Sequence, residues 1–286
     1  MLGRWLLSSI SRPRPGPTAV LVALLVGCVH APLPIDTRHR AQAQDSRVQF
    51  IVLHYTVGRF DSALFTLTQG PVSSHYLVDL EPPRVYRLVD ESRRAWHAGP
   101  SHWQGHTSLN AASIGIEIVN PGFLGDPAGP YEPYPDAQVD AVVALVRDIA
   151  RRHGVRPHRI VGHSDISPQH KQDPGPRFPW RRLAQEGLIP WPDEAAVQVQ
   201  RAHFEQELPD AAWFQQRLAR LGHEVPRHGR WDEPTQRVLA VFQMKYRPSL
   251  YDGQPDAETA AWLLVATTPG GMRLADGRGG WTPYPG

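Results

Sequence analysis

Cysteine is almost missing from this chain. Cys28 is the single one in 286 residues, so no internal disulfide can brace the fold. Excess charge of either sign is missing too. Thirty Lys and Arg stand against 28 Asp and Glu, which gives no basis for a nucleic-acid partner. A bilayer-spanning run is also lacking at the N-terminus. The apolar stretch from Ala19 to Gly27 falls short of the about 20 residues that a spanning helix needs. Proline and glycine, by contrast, are abundant at 29 and 24. With 41% apolar residues still available for a core, they indicate long loops rather than disorder. The length suits one large or two small domains.

Among 14 histidines, two stand out. His54 closes the apolar run Val48 to Leu53, and His163 follows Ile160-Val161-Gly162. Both runs read as short strands, and strand ends are rigid places to mount metal ligands. Asp173 shares a polar segment with His163. Two neutral imidazoles and a carboxylate leave a tetrahedral Zn²⁺ with one position open for water. Zinc lowers the pKa of such a water from about 15.7 to about 7, so the residue types point to metal-assisted hydrolysis. The spacing alone is weaker than a helical His-Glu-x-x-His pattern. Asp165 is a rival carboxylate and His170 a rival imidazole. Ser164-Asp165 before Ser167-Pro168 suits side-chain-to-backbone turns better, and His170 sits in an irregular polar loop.

The surroundings supply the missing specificity. Ile51-Val52-Leu53-His54-Tyr55-Thr56, Val72-Ser73-Ser74-His75-Tyr76-Leu77-Val78 and Ala95-Trp96-His97-Ala98-Gly99 follow one another in order. Leu109 to Glu117, Val161 to Ile166 and Lys171-Gln172-Asp173-Pro174-Gly175 continue the series. Together, over residues 48–192, they resemble the zinc-dependent N-acetylmuramoyl-L-alanine amidases of the type-2 amidase family. The resemblance implies one Zn²⁺ ion on His54, His163 and Asp173, with Glu117 and Lys171 as the catalytic pair. It also implies a peptidoglycan or muropeptide substrate. His75, Trp96 and His97 are assigned to substrate binding. For His75 and His97 the alternative is hydrogen bonding behind the ligands.

The chemistry of the residues agrees. In Ile114-Gly115-Ile116-Glu117-Ile118-Val119 the isoleucines share one strand face and Glu117 falls on the other. A carboxylate inside such an apolar run is costly unless paired or near a metal. Near a metal it can serve as a general base that passes a proton to the leaving amine. Lys171 stands two residues before Asp173, within about 7 Å along the chain. An ammonium there can stabilise an oxyanion.

The two ends of the chain carry other signals. Arg4, Arg12 and Arg14 precede the apolar stretch, as in a signal peptide over residues 1–27. Leu25-Val26-Gly27-Cys28 resembles the bacterial lipobox, which implies acylation at Cys28. Val29 after it implies outer-membrane sorting, facing the periplasm. Residues 28–47 then read as the lipid anchor and a polar tether.

Beyond Pro192, residues 193–208 read as a connector and residues 209–266 as a small three-helix domain. Asp210, Asp232 and Asp256 are the expected caps, and Gly222 stops the first helix. Gly229 to Thr235 and Gly253 to Thr259 repeat as Gly-x-x-Asp-x-x-Thr. This part resembles the peptidoglycan-binding domain found beside many wall hydrolases. Residues 267–286 are expected to be an irregular tail.

The expected fold is therefore α/β, a mixed central sheet flanked by helices, with a second small three-helix domain. One flanking helix is expected from Asp136, as its cap, to His153, with Gly154 as its stop. The expected protein is a monomer that hydrolyses the amide between N-acetylmuramic acid, or its anhydro form, and L-alanine. The alternative is a non-catalytic peptidoglycan-binding lipoprotein on the same fold.

Overall fold

The computed structural model describes residues 33–123 and 129–285. The signal segment and Cys28 lie outside the described residues. Residues 33–44 contain no helix or strand, and the compact unit begins at Asp45.

In chain order the elements begin with β1 (Phe50–Tyr55), α1 (Phe60–Gln69), β2 (Tyr76–Val78), β3 (Val85–Arg87), β4 (His102–Trp103) and β5 (His106–Thr107). They continue with β6 (Ser113–Ile118), α2 (Asp136–His153), β7 (Ile160–Gly162), α3 (His163–Ile166), α4 (Trp180–Gln185) and β8 (Trp191–Pro192). The C-terminal part holds α5 (Glu194–Phe204), α6 (Ala211–Leu221), α7 (Glu233–Tyr246), α8 (Ala257–Thr267), β9 (Met272–Ala275) and β10 (Trp281–Pro283).

The central sheet has the order β3-β2-β6-β1-β7. All its pairings are parallel except β2 with β3. Strand β1 is buried along its whole length, as the unbroken apolar run of a central parallel strand requires. Its period of two divides the side chains. Ile51 and Leu53 join Ile114, Ile116 and Ile118 and the α2 stripe Val139, Val142, Val143, Val146 and Ile149 in one core. Phe50 and Val52 face a second cluster on the other side.

Helix α2 has the expected span, and Gly154 closes it at φ 69°, donating its N–H to Ala150 O. Its cap differs from expectation. Pro135 occupies the cap position in extended geometry, and Asp136 is the first helical residue, with no side-chain cap bond. A proline already held at φ near −65° supplies the non-helical entry, which leaves Asp136 to act on the helix dipole.

Helices α6, α7 and α8 are capped as expected. Asp210, Asp232 and Asp256 accept from Trp213 N, Thr235 N and Thr259 N. The internal repeat extends further than its sequence signature. Gln215 Nε2 donates to Arg230 O and Thr235 Oγ1 while its Oε1 accepts from Gly229 N. Gln243 repeats this bond for bond with Gln254 O, Thr259 Oγ1 and Gly253 N. Each buried glutamine thus satisfies a turn and the next helix start together.

Two expectations for the C-terminal part need correction. Residues 193–208 are not a spacer: α5 packs along α8, and Val197 and Phe204 belong to the main core. That core runs without a break from Ile51 to Phe214, Leu218, Phe242 and Leu263, so no gap in packing falls between residues 192 and 209. The tail is not irregular either. Strands β9 and β10 form an antiparallel pair, and β9 adds to β8. Asp193 also binds Arg273 at 2.8 Å. These strands are short, β9 half-exposed and β10 exposed, and β9 takes its place from a partner some 80 positions upstream (Trp191 pairs with Arg273).

Candidate metal centre

The parallel sheet sets the site. In β1 and β6, His54 is the register partner of Glu117, and both lie near strand C-terminal ends. On the other flank of β1, β7 ends at Gly162 and His163 follows at once as the first residue of α3. Three adjacent strands thus deliver Glu117, His54 and His163 to one edge. The carboxyl edge of an open α/β sheet is where such folds place their ligands. Asp173 arrives from the following loop, tied back by Ser164 N donating to Asp173 O at 2.9 Å.

There the ligand atoms converge. His54 Nδ1 and His163 Nδ1 are 3.0 Å apart, and Asp173 Oδ2 lies 3.0 Å and 3.1 Å from them. All three residues are buried, and among the described residues they are a group of donors whose atoms meet closely enough for one metal ion. The edges approach the roughly 3.3 Å expected between ligand atoms of a tetrahedron with bonds of about 2.0–2.1 Å.

The surroundings prepare His54 for this role. Ser113 Oγ donates to Leu109 O at 2.7 Å, so it accepts from His97 Nε2–H at 3.1 Å. His97 Nδ1 is then the acceptor for His54 Nε2–H at 3.1 Å. The chain of bonds assigns the tautomer and leaves the His54 Nδ1 lone pair bare toward the cluster. Two imidazole nitrogens and a carboxylate oxygen at these distances suit a cation between them. The donor set fits.

Burial, with His163 as a second cause, holds His54 down at about 4. It therefore stays neutral at ordinary pH. Burial alone would raise Asp173, but His163 and His54 hold it below the usual carboxylate range. Glu117 is pushed well above its ordinary value by burial and by Asp173, with Lys171 opposing. Among the described residues no cation is within ion-pair distance of Glu117. Lys171 is exposed, and its charge reaches both His54 and Glu117.

The remaining expected residues divide. Trp96 is 53% exposed, with the Arg94 guanidinium 4.2 Å over its ring. His97 and His75 do not line a cleft. His97 lies behind His54 and packs against Gly115, where an added Cβ would stand 2.5 Å from its ring. His75 is fully buried, accepting from Gly115 N and facing Arg93 O. In sequence one imidazole stands beside the exposed Trp96 and the other just before a short strand, but both turn inward: Asn110 holds the His97 loop over Gly115, and Gly115 N donates to His75 Nδ1. Asp165 is no ligand, and His170 is exposed outside the cluster.

Two residues escaped sequence reasoning. Asn110 Oδ1 accepts from His97 N and Ala98 N, fixing the loop that presents His97. Ser113 ends the relay. Both lie inside a stretch already singled out, Leu109 to Glu117, but their roles depend on contacts with His97 that the sequence does not show.

A mixed sheet that gathers a buried His-His-Asp cluster and, among the described residues, a carboxylate without an ion-pair partner at its carboxyl edge fits a hydrolase site with donors for one metal ion. Residues 44–176 match the family described as N-acetylmuramoyl-L-alanine amidase, and residues 207–263 match a peptidoglycan binding domain. N-acetylmuramoyl-L-alanine amidase AmiD of Escherichia coli is 45% identical over 79% of this chain and 85% of its own length. The chain belongs to the N-acetylmuramoyl-L-alanine amidase family. A solved structure of AmiD with anhydro-N-acetylmuramic acid-L-Ala-D-gamma-Glu-L-Lys aligns at a TM-score of 0.73. It is 43% identical, over 80% of this chain and 92% of that one. AmpDh3 of Pseudomonas aeruginosa in complex with anhydromuramic pentapeptide aligns at 0.75 with 37% identity, over 81% and 96%.

Proposed function

We propose that this protein hydrolyses the amide joining N-acetylmuramic acid, including its anhydro form, to L-alanine in peptidoglycan or its fragments, with one zinc ion. The observation that carries the reading is the 3.0–3.1 Å triangle of His54, His163 and Asp173 beside the register-matched Glu117. The solved relatives hold anhydro-muramyl peptides, which supports fragments released during wall turnover as substrates. When bound, a zinc ion supplies Lewis-acid polarisation and acidifies a water.

The chain's own residues supply the rest. His54, His163 and Asp173 hold the metal. Glu117, with its raised proton affinity, accepts a proton from the attacking water and gives it to the leaving amine of L-alanine. Lys171 stabilises the oxyanion on the former carbonyl. Trp96, exposed and next in sequence to His97, offers a face for the substrate. Cys28 carries the acyl anchor to the outer membrane, and the enzyme works as a monomer facing the periplasm.

The test is mass spectrometry of products after incubation with peptidoglycan and with an anhydro-muropeptide, with and without a chelator. Chelator-sensitive release of stem peptides with a free L-alanine amine is expected. Intact linkages, with the protein folded and metal-loaded, overturn the reading.

A further inference from the structure

The segment from His163 to Asp173 carries two of the three expected metal ligands and Lys171. It is gripped from outside the catalytic sheet at two points. At the first, Lys245 of α7 reaches Asp165 Oδ2 at 2.7 Å, its side chain 8% exposed and its ammonium 4.2 Å from the Trp180 ring centre. The same Oδ2 accepts from Gly162 N at 2.8 Å. His223, after α6, lies with Nδ1 3.1 Å from Asp165 O, and its ring meets Trp103 edge-on. At the second point, Gln169 Nε2 donates to Pro234 O, and Arg237 Nη1 donates to Gln169 O at 2.9 Å.

A buried ion pair is a poor way to glue two modules together. Apolar residues of similar volume do as well or better, because each charge loses its hydration. Here the apolar glue already exists: Trp191 packs on Tyr246 and Trp262. The ion pair therefore calls for another role, and its position indicates one. Asp165 sits two residues beyond His163 and bonds the residue just before it. Gly162 has no room to shift toward the other ligand segment, since a Cβ there would stand 2.8 Å from Pro174. Moving the Asp165 carboxylate thus moves the backbone of His163 and presses on Asp173-Pro174.

We propose that the C-terminal helical module is part of the scaffold of the metal centre, with Lys245 and His223 as positioning residues that set His163 through Asp165. This rests on the reading of His163 and Asp173 as metal ligands. On this view the module does more than concentrate the enzyme at the wall. It completes the support of a ligand segment that the catalytic sheet holds from one side only.

Zinc affinity of the full-length chain in detergent, measured by competition with a chromogenic chelator, tests this alongside thermal unfolding. Lys245→Met is expected to weaken zinc binding by about 10- to 100-fold, the usual effect of losing an outer-shell support. Thr259→Val removes a buried hydrogen bond of the same module away from this segment. It should lower Tm and leave zinc affinity unchanged, which separates positioning from stability. The double variant Lys245→Met with Asp165→Asn leaves no unpaired buried charge and so keeps the chain folded. It too should lose at least about tenfold. Zinc affinity within about twofold of wild type in that folded double variant overturns the proposal. Zinc content unchanged by His163→Ala overturns the metal reading, and the proposal falls with it.

Discussion

Replacing His97 by Phe tests the relay behind the metal centre. Phenylalanine fills the space next to Gly115 but offers no acceptor to His54 Nε2–H. In the metal-binding tautomer that buried donor is left without a partner, at a cost of about 1–3 kcal/mol. The metal-free protein avoids the cost. His54 can move its proton to Nδ1 and donate to Asp173 Oδ2, only 3.0 Å away. The penalty therefore falls on the metal-bound state alone and converts to about 5- to 150-fold weaker zinc binding. The assay is zinc competition with a chelator near neutral pH, with unfolding curves taken with and without excess chelator. Metal-free Tm should change little, and the stabilisation by zinc should shrink. A folded His97→Phe protein that binds zinc within about twofold of wild type refutes the relay.

Three further outcomes are expected, two from the site and one from the N-terminal segment. Glu117→Gln should keep zinc stoichiometric and lower kcat by about 10²- to 10⁴-fold, the range for loss of a general acid–base. Loss of zinc in that variant would instead make Glu117 a ligand. In excess chelator, stability should fall as pH drops from about 6.5 toward about 4, because the unfolded chain takes up the His54 proton first while the fold holds that pKa at about 4. The His54 share is about 3 kcal/mol, on top of the shares of the buried His97, His223 and His75, and His54→Gln should make the slope shallower; an equal slope in both proteins removes this account. Palmitate labelling in a Gram-negative host should mark the wild-type chain and not Cys28→Ser; equal labelling would place the anchor elsewhere.

Much of the catalytic part is legible in the sequence because its logic is local. A strand has a period of two, so Ile114, Ile116 and Ile118 announce the core and Glu117 the opposite face. Asp before a first turn can accept from its free N–H groups, which is why α6, α7 and α8 begin where Asp210, Asp232 and Asp256 indicate, while at α2 Pro135 took the cap position ahead of Asp136. The ligand set came with a recognisable series of short stretches, and parallel pairing of β6, β1 and β7 then brought Glu117, His54 and His163 to one edge.

Other features depend on partners that no local rule names. His75 and His97 have the same chemistry whether they face a substrate or a second imidazole, and only the contacts from Asn110 and Gly115 and the bare Cβ position of Gly115 turned them inward. The tail became strands because Trp191-Pro192 leaves an edge for Met272-Arg273 to pair with. Lys245 reads in sequence as one more polar residue on a helix, yet folding buries it against Asp165, 80 positions away. By itself the sequence singled out the residues expected to carry the chemistry and marked the span of α2 and the starts of α6, α7 and α8, since those follow from side-chain type and short periodicities. The tertiary structure alone decided which way each histidine points and that the C-terminal helices brace the ligand segment, since both arise from contacts between residues far apart in the chain.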